Sequence, residues 1–141
     1  MKRFFLFVVV ALFSANLYAG LFSSYNYITA DELLSWLKSK KHFYIIDIQP
    51  KKDFDDEHIV GAIPTHAFPA KTAEEKKRLD PAVEKVKKDN LPVVVVCPRG
   101  KSGAENAYDY IKSKGIDEKR LYLLKDGMSG WKYDEYSEPK R

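Results

Sequence analysis

The sequence predicts an α/β domain whose parallel sheet is covered by helices on both faces. Two short runs, 43–48 and 93–96, are nearly all apolar and lack the alternation of a half-exposed strand, which is typical of strands buried on both faces. Segments with helix-start signals lie between such runs, so that strands and helices alternate as they do in βαβ units. A chain of 141 residues suits a single domain.

The first residues have the composition of a secretory signal peptide. Lys2 and Arg3 precede an uninterrupted apolar run at Phe4–Phe13, and Ala19-Gly20 offers a small-residue cleavage point. The run is too short for a membrane span, which needs about 20 apolar residues, and a retained anchor is the alternative. We therefore predict a signal peptide at 1–19 and an exported protein with no membrane segment after cleavage.

The charge balance argues against a nucleic-acid partner. The chain has 24 basic and 20 acidic residues, and removal of Lys2 and Arg3 with the signal peptide leaves 22 basic residues, a net charge of +2. The lysines within 71–88 alternate with acidic residues, which is typical of a solvated helix face. The sequence therefore has no basic patch of the kind that nucleic-acid binding requires.

Helix-start signals organise the first half of the mature chain. Thr29 and Glu32 have the spacing of a capping box. Asp47 is the one charged residue of its apolar run, so it must be hydrogen-bonded if it is buried there. The predicted elements are an extended lead-in at 20–28, a helix from Thr29 to about residue 40, a strand at 43–48, a helical turn at 50–57 and a brief strand within 58–64.

The second half repeats these signals. Thr72 with Glu75 and Ser102 with Glu105 form two further capping boxes, and Asp80 is the predicted N-cap of a helix with proline at its first position. The predicted elements are helical segments from Thr72 and from Asp80, a strand at 93–96, a helix from Ser102 that Gly115 ends, a strand at 121–124 and a polar, frayed tail at 132–141.

Cys97, the only cysteine, lies where strand 93–96 ends and a helix is about to begin. In parallel α/β sheets, ligands bind beyond the carboxyl ends of the strands. A helix N-terminus favours an anion, and the nearby Arg99 and Lys101 favour a thiolate and attract anionic substrates. A single cysteine in an exported chain forms no internal disulfide, which indicates a reactive thiol. Inert burial is the alternative.

Four segments carry a resemblance to a known family. They are FYIIDI at 43–48, EHIVGAI at 57–63, VVVVCPRGKSG at 93–103 and LKDGMSGW at 124–131, in this order. Together they resemble the single-domain rhodaneses, which are sulfurtransferases, over roughly residues 29–131. The resemblance implies a rhodanese-like five-stranded parallel sheet with helices on both faces. An exported protein of this kind is expected in the bacterial periplasm.

The resemblance also implies a catalytic site. Cys97 is expected to accept sulfane sulfur as a persulfide, from thiosulfate or polysulfide, and to pass it to a thiol, a protein or cyanide. The expected binding loop consists of Pro98, Arg99, Gly100, Lys101, Ser102 and Gly103, with the N–H groups of 99–102 pointing at the sulfur. No cofactor is expected, and the three histidines and one cysteine have no metal-ligand spacing.

Three further residues have expected supporting roles, in a monomer or homodimer. Asp47 is the acidic residue at the end of its strand, His58 is expected to form structural hydrogen bonds, and Trp131 is expected to pack. Three positions depart from the family pattern: Gln49 replaces an arginine, Pro98 replaces a basic residue that often follows the cysteine, and Asp126 replaces the first of two glycines.

Two other functions are open at this point. A non-enzymatic sulfur carrier needs the same cysteine loop as an enzyme does. A cysteine phosphatase or arsenate reductase has a related loop, but such phosphatases need an arginine six positions after the nucleophile to hold phosphate bidentately. Gly103 stands at that position, which disfavours this class.

Overall fold

A computed structural model of the chain describes residues 25–140. Five parallel strands form its central sheet, in the spatial order β1-β6-β5-β2-β4, as predicted. A second sheet consists of two antiparallel strands, β3 and β7. The strands are β1 (Tyr27–Ile28), β2 (Tyr44–Asp47), β3 (His58–Ile59), β4 (Ile63–Pro64), β5 (Val93–Val96), β6 (Leu121–Leu124) and β7 (Ser137–Glu138).

Helices cover both faces of the central sheet. They are α1 (Ala30–Lys38), α2 (Lys51–Asp56), α3 (Ala73–Lys77), α4 (Asp80–Val86) and α5 (Ser102–Ser113), with 3-10 turns at Glu118–Arg120, Gly127–Gly130 and Asp134–Tyr136. Successive residues of β5 enter opposite layers: Val93 and Val95 pack with α4 and α5, whereas Val94 and Val96 pack with α1 and Trp131. All four valines are fully buried, which confirms that this strand is covered on both faces.

Two of the predicted capping boxes are present. The Thr29 hydroxyl accepts the Glu32 N–H at 3.1 Å, and the Glu32 carboxylate accepts the Thr29 N–H. Thr72 and Glu75 form the same pair of bonds at the start of α3. Within residues 25–140, no helix combines the length and the apolar character that a membrane crossing requires. The predicted signal peptide at 1–19 lies outside the described residues.

The ends of the domain are more ordered than predicted. The lead-in ends in β1, which pairs with β6 in the register Tyr27 to Leu123. The prediction of a frayed tail at 132–141 is wrong for β7, which pairs with β3. The tail folds back because its Ser137 is buried and accepts a hydrogen bond from the Trp131 indole at 3.0 Å. The predicted strand within 58–64 is two strands, one in each sheet.

The predicted N-cap at Asp80 is wrong by one residue. Leu79 is the N-cap of α4 and its carbonyl accepts the Val83 N–H at 3.0 Å, so that Asp80 is already helical. The Asp80 carboxylate instead accepts the Tyr110 hydroxyl at 2.6 Å. Burial of Leu79 sets this boundary, because its side chain is fully enclosed in the core.

Candidate active site

Cys97 leaves the sheet at the carboxyl end of β5, between β2 and β6. Asp47 of β2 is opposite Val96, and the Ile48 N–H donates to the Val96 carbonyl at 2.8 Å. The Cys97 side chain is 1 % exposed. The strand that precedes the cysteine therefore pairs with β2 up to Val96 and with β6 up to Val95, which fixes the position of the Cys97 backbone.

The loop after Cys97 curls back over the sulfur. The Gly100 N–H donates to the Cys97 Sγ at 2.8 Å. Gly100 has φ of +69°, a left-handed conformation that favours glycine. Of the predicted donors at 99–102, Gly100 is the one that has hydrogen-bond geometry to Sγ in the part of the chain that the structure describes.

A second turn supports the cysteine loop from behind. The Met128 N–H donates to the Cys97 carbonyl at 2.8 Å, and the Ser129 N–H donates to the Pro98 carbonyl at 2.9 Å. Gly127 makes this contact possible, because a Cβ atom there would lie 2.2 Å from the Cys97 carbonyl oxygen. The sequence pattern contained Gly127 within LKDGMSGW, but it did not reveal this contact, which joins residues thirty positions apart.

The predicted capping box at Ser102 is wrong. Lys101 is the N-cap of α5, its carbonyl accepts the Glu105 N–H at 3.1 Å, and no side chain caps the helix. Lys101 has φ of −111° and ψ of −143°, outside the helical range, and the helix already includes Ser102. The Ser102 hydroxyl is therefore not used as a cap and lines the site instead.

A pocket of about 460 Å³ lies over Cys97. Cys97 and five of the six predicted loop residues line it, and Gly100 holds the sulfur without lining the pocket. Three further lining residues were not identified from the sequence. The lining residues are Cys97, Pro98, Arg99, Lys101, Ser102 and Gly103 on the loop, and Pro50, Asp53 and Phe68 on other segments.

The sequence contained a signal for two of these three residues. Pro50 and Asp53 open the helix that directly follows β2, the strand beside β5, so that their position at the same sheet edge follows from the parallel arrangement. Phe68 had no such signal. It lies in a loop, is 38 % exposed, and is placed by its contact with Gly103, where a Cβ atom would lie 2.7 Å from the phenyl ring.

A family model for the rhodanese-like domain matches residues 29–134 of the chain. The chain belongs to this family. The match covers four of the five strands of the central sheet, the cysteine loop and the supporting turn at Gly127–Gly130. In a comparison with solved structures, 45 chains match this chain. In a comparison with curated proteins, none matches this chain.

Three solved structures illustrate the range of similar proteins. A rhodanese-like domain from Anabaena has a TM-score of 0.57 at 22% identity, over 77% of this chain and 74% of that one. A thiosulfate sulfurtransferase from Pseudomonas aeruginosa has a TM-score of 0.58 at 20% identity, over 77% of this chain but 18% of that one. A yeast protein tyrosine phosphatase of the rhodanese family has a TM-score of 0.58 at 17% identity, over 81% and 98%. Identities this low show the fold alone.

Asp47 supports the pocket of this rhodanese-like domain without lining it. Its carboxylate is fully buried and accepts the Gln49 N–H at 2.8 Å and the Gln49 side-chain amide at 3.0 Å. Burial raises the pKa of Asp47 to about 6, although these hydrogen bonds and the nearby His58 and His66 oppose the rise. The Gln49 amide also donates to the Glu57 carbonyl at 3.1 Å. Gln49 thus ties the end of β2 to α2, the helix that carries Asp53.

His58 and Trp131 lie outside the pocket of the rhodanese-like domain. The His58 ring stacks on Phe54 at 3.8 Å, and its Nδ1 lies 2.8 Å from the Phe54 carbonyl oxygen. Trp131 is 5 % exposed and packs in the layer on the other side of the sheet from Cys97. The supporting roles of these two residues stay predictions.

Proposed function

We propose that this rhodanese-like protein is a sulfurtransferase that moves sulfane sulfur from thiosulfate or polysulfide to a thiol or cyanide through a persulfide on Cys97. The observation that carries the proposal is the bond from the Gly100 N–H to Sγ at 2.8 Å, at the inner end of an open pocket that also contains Arg99 and Lys101. The hydrogen bond and the positive end of the α5 dipole stabilise an anionic sulfur there.

The first half of the reaction loads the cysteine. The Cys97 thiolate attacks the outer sulfur of thiosulfate, the S–S bond of thiosulfate breaks, and its electron pair leaves with sulfite. The products are a Cys97 persulfide anion and sulfite, so that atoms and charge balance. Arg99 and Lys101 are both exposed at the pocket, where their charges attract an anionic donor.

The second half regenerates the thiolate. An acceptor thiolate or cyanide attacks the outer sulfur of the persulfide, and the electron pair of the S–S bond returns to the Cys97 Sγ. Two separate transfers through one covalent intermediate produce ping-pong kinetics. The bond from Gly100 favours this step as well, because it stabilises the departing Cys97 thiolate.

The structure supports sulfur transfer over phosphate transfer. Gly103 lies at the position of the phosphatase arginine, and it is buried against the Phe68 ring. A side chain there would displace the phenyl group from the pocket wall. The loop therefore lacks the bidentate phosphate ligand, and its space is filled by an apolar ring.

A non-enzymatic sulfur carrier is the second candidate, and the burial of the thiol favours it. Because Cys97 is 1 % exposed, a persulfide held there is shielded from reductants in the solvent. Multiple turnovers with small donor and acceptor molecules distinguish the enzyme from the carrier.

Export to the periplasm is also proposed, on the composition of residues 1–19 alone.

The direct test is mass spectrometry of the purified protein after exposure to thiosulfate and to polysulfide. We expect a persulfide that cyanide removes in the wild type and none in Cys97→Ser, because the serine hydroxyl neither ionises nor accepts sulfur at neutral pH. Steady-state rates with each donor are measured in parallel. Equal turnover by Cys97→Ser would refute the catalytic assignment, and loading without turnover would favour the carrier.

A further inference from the structure

The pocket over Cys97 is larger than a small inorganic sulfur compound requires. Its volume of about 460 Å³ falls within the range of roughly 300–1,000 Å³ that is typical of pockets for organic ligands. Thiosulfate or cyanide would leave most of this space to water. The size of the pocket therefore points to an organic molecule as one of the two substrates.

One wall of the pocket is apolar. Pro50 and Phe68 face the cysteine loop, and Phe68 is 38 % exposed although it is a large hydrophobic residue. Its ring is held in place by Gly103, where a Cβ atom would lie 2.7 Å from the ring. Contact with a carbon chain would remove this phenyl surface from water, which favours binding.

The charged groups of the pocket have opposite signs. Arg99 and Lys101 lie on the loop, and Asp53 lies on α2. The neighbouring acidic residue Asp55 is paired with Lys51, whereas Asp53 forms no ion pair with any residue in 25–140. An isolated carboxylate at this place repels a purely anionic donor and attracts an ammonium group.

We infer that the acceptor that unloads Cys97 is a zwitterionic organic thiol. Its ammonium group meets Asp53, its carboxylate meets Arg99 and Lys101, and its carbon chain lies against Phe68; the amino acid cysteine is the simplest thiol of this class. This inference rests on the proposed sulfurtransferase function and names Asp53 as a specificity-determining residue.

The transfer balances without a further reactant. The acceptor thiolate attacks the outer sulfur of the Cys97 persulfide and forms a new S–S bond. The bond between that sulfur and the Cys97 Sγ breaks, and its electron pair stays on Sγ. The products are an organic persulfide and the Cys97 thiolate, with the same number of atoms and the same charge as the reactants.

The test is a single-turnover measurement on the full chain, loaded with sulfur from polysulfide and mixed with one acceptor at a time. Cysteine carries both charges, N-acetylcysteine lacks the ammonium group, and sulfite is an inorganic acceptor. Loss of the persulfide mass gives the rate constant. Asp53→Asn is compared with Asp56→Asn, which removes an exposed charge from the same helix outside the pocket.

We expect Asp53→Asn to slow transfer to cysteine about two- to five-fold, the size of a solvent-exposed ion pair, and to leave transfer to N-acetylcysteine no slower. Asp56→Asn should change neither rate. Phe68→Ala should slow transfer to both organic thiols by a larger factor than transfer to sulfite. Because each ratio compares variants with the same thiol, the intrinsic reactivity of that thiol cancels.

Two outcomes would overturn the inference while leaving the proposed function intact. One is an equal effect of Asp53→Asn on cysteine and N-acetylcysteine. The other is an effect of Asp56→Asn as large as that of Asp53→Asn. Absence of any persulfide on Cys97 in the wild type, with every donor, would refute the sulfurtransferase proposal itself.

Discussion

Gly127→Ala tests whether the supporting turn positions the cysteine loop. Gly127 has φ of +56°, and a Cβ atom there would lie 2.2 Å from the Cys97 carbonyl oxygen, 2.7 Å from the Gly100 nitrogen and 2.9 Å from the Arg99 nitrogen. All three are backbone atoms, so that no side-chain rotation relieves the contacts. The loop must move by about 1 Å before the closest contact becomes tolerable.

The matched control is Gly61→Ala. Gly61 has φ of +82°, and a Cβ atom there would meet nothing within 4 Å. We therefore expect Gly61→Ala to lower the free energy of unfolding by about 1 kcal/mol, because a non-glycine residue is strained at positive φ. Gly127→Ala should lower the free energy of unfolding by a similar amount for the same reason, and by about 1–3 kcal/mol more because of overpacking.

The two substitutions should differ in their effect on activity as well. A displacement of about 1 Å at a reacting group slows a reaction about 100-fold, so we expect persulfide formation from thiosulfate to slow by about this factor in Gly127→Ala. In Gly61→Ala we expect the wild-type rate. Urea unfolding gives the free energies, and the mass shift at timed intervals gives the rates. If the two variants have equal stability and equal loading rates, the supporting role of Gly127 is wrong.

Two further predictions concern charge. Burial raises the folded-state pKa of Asp47 from 3.8 to about 6, so the folded protein holds this proton more tightly than the unfolded chain does. As the pH rises from 4.5 to 7.5, the free energy of unfolding should therefore fall by about 2 kcal/mol more in the wild type than in Asp47→Asn. Urea titrations at these two pH values measure the difference, and parallel curves would contradict the prediction. Arg99→Ala combined with Lys101→Ala should raise the KM for thiosulfate several-fold at low ionic strength. At 0.5 M salt the double substitution should change the KM little, because the charges of exposed side chains are screened. An unchanged KM at low salt would mean that these side chains do not attract the donor.

Gln49, one of the departures from the family pattern, lies beside the Asp47 carboxylate. The family has an arginine where Gln49 stands, and an arginine would neutralise the buried carboxylate. Gln49 instead donates two neutral hydrogen bonds to Asp47, which stabilise the charge less than an ion pair does. Burial raises the pKa of Asp47, and the two hydrogen bonds from Gln49 lower it without cancelling the effect of burial.

The sequence predicted the sheet and the inner half of the site because both depend on local patterns. The uniform apolar run at 93–96 identified a strand buried on both faces, and the structure confirms this burial. Two of the three capping boxes are present for the same reason, since a cap joins residues three positions apart. The third, at Ser102, failed because Lys101 is the N-cap of α5 and the helix already includes Ser102.

The outer half of the site depends on contacts between distant residues. Phe68 reaches the pocket because Gly103, thirty-five positions later, leaves room for its ring. The tail folds back because Ser137 finds a partner in Trp131 and a strand in His58–Ile59. No spacing or periodicity within a single segment encodes such contacts.

The sequence by itself determined the thiol, its position at a strand end, the basic residues beside it and the absence of the phosphatase arginine. Only the tertiary structure decided what faces that thiol. It brought Pro50, Asp53 and Phe68 to the loop, and it placed the Gly127 turn behind Cys97. The physical reason is that the nucleophile is a property of one residue, whereas the pocket that selects its substrate is formed where three separate segments pack together.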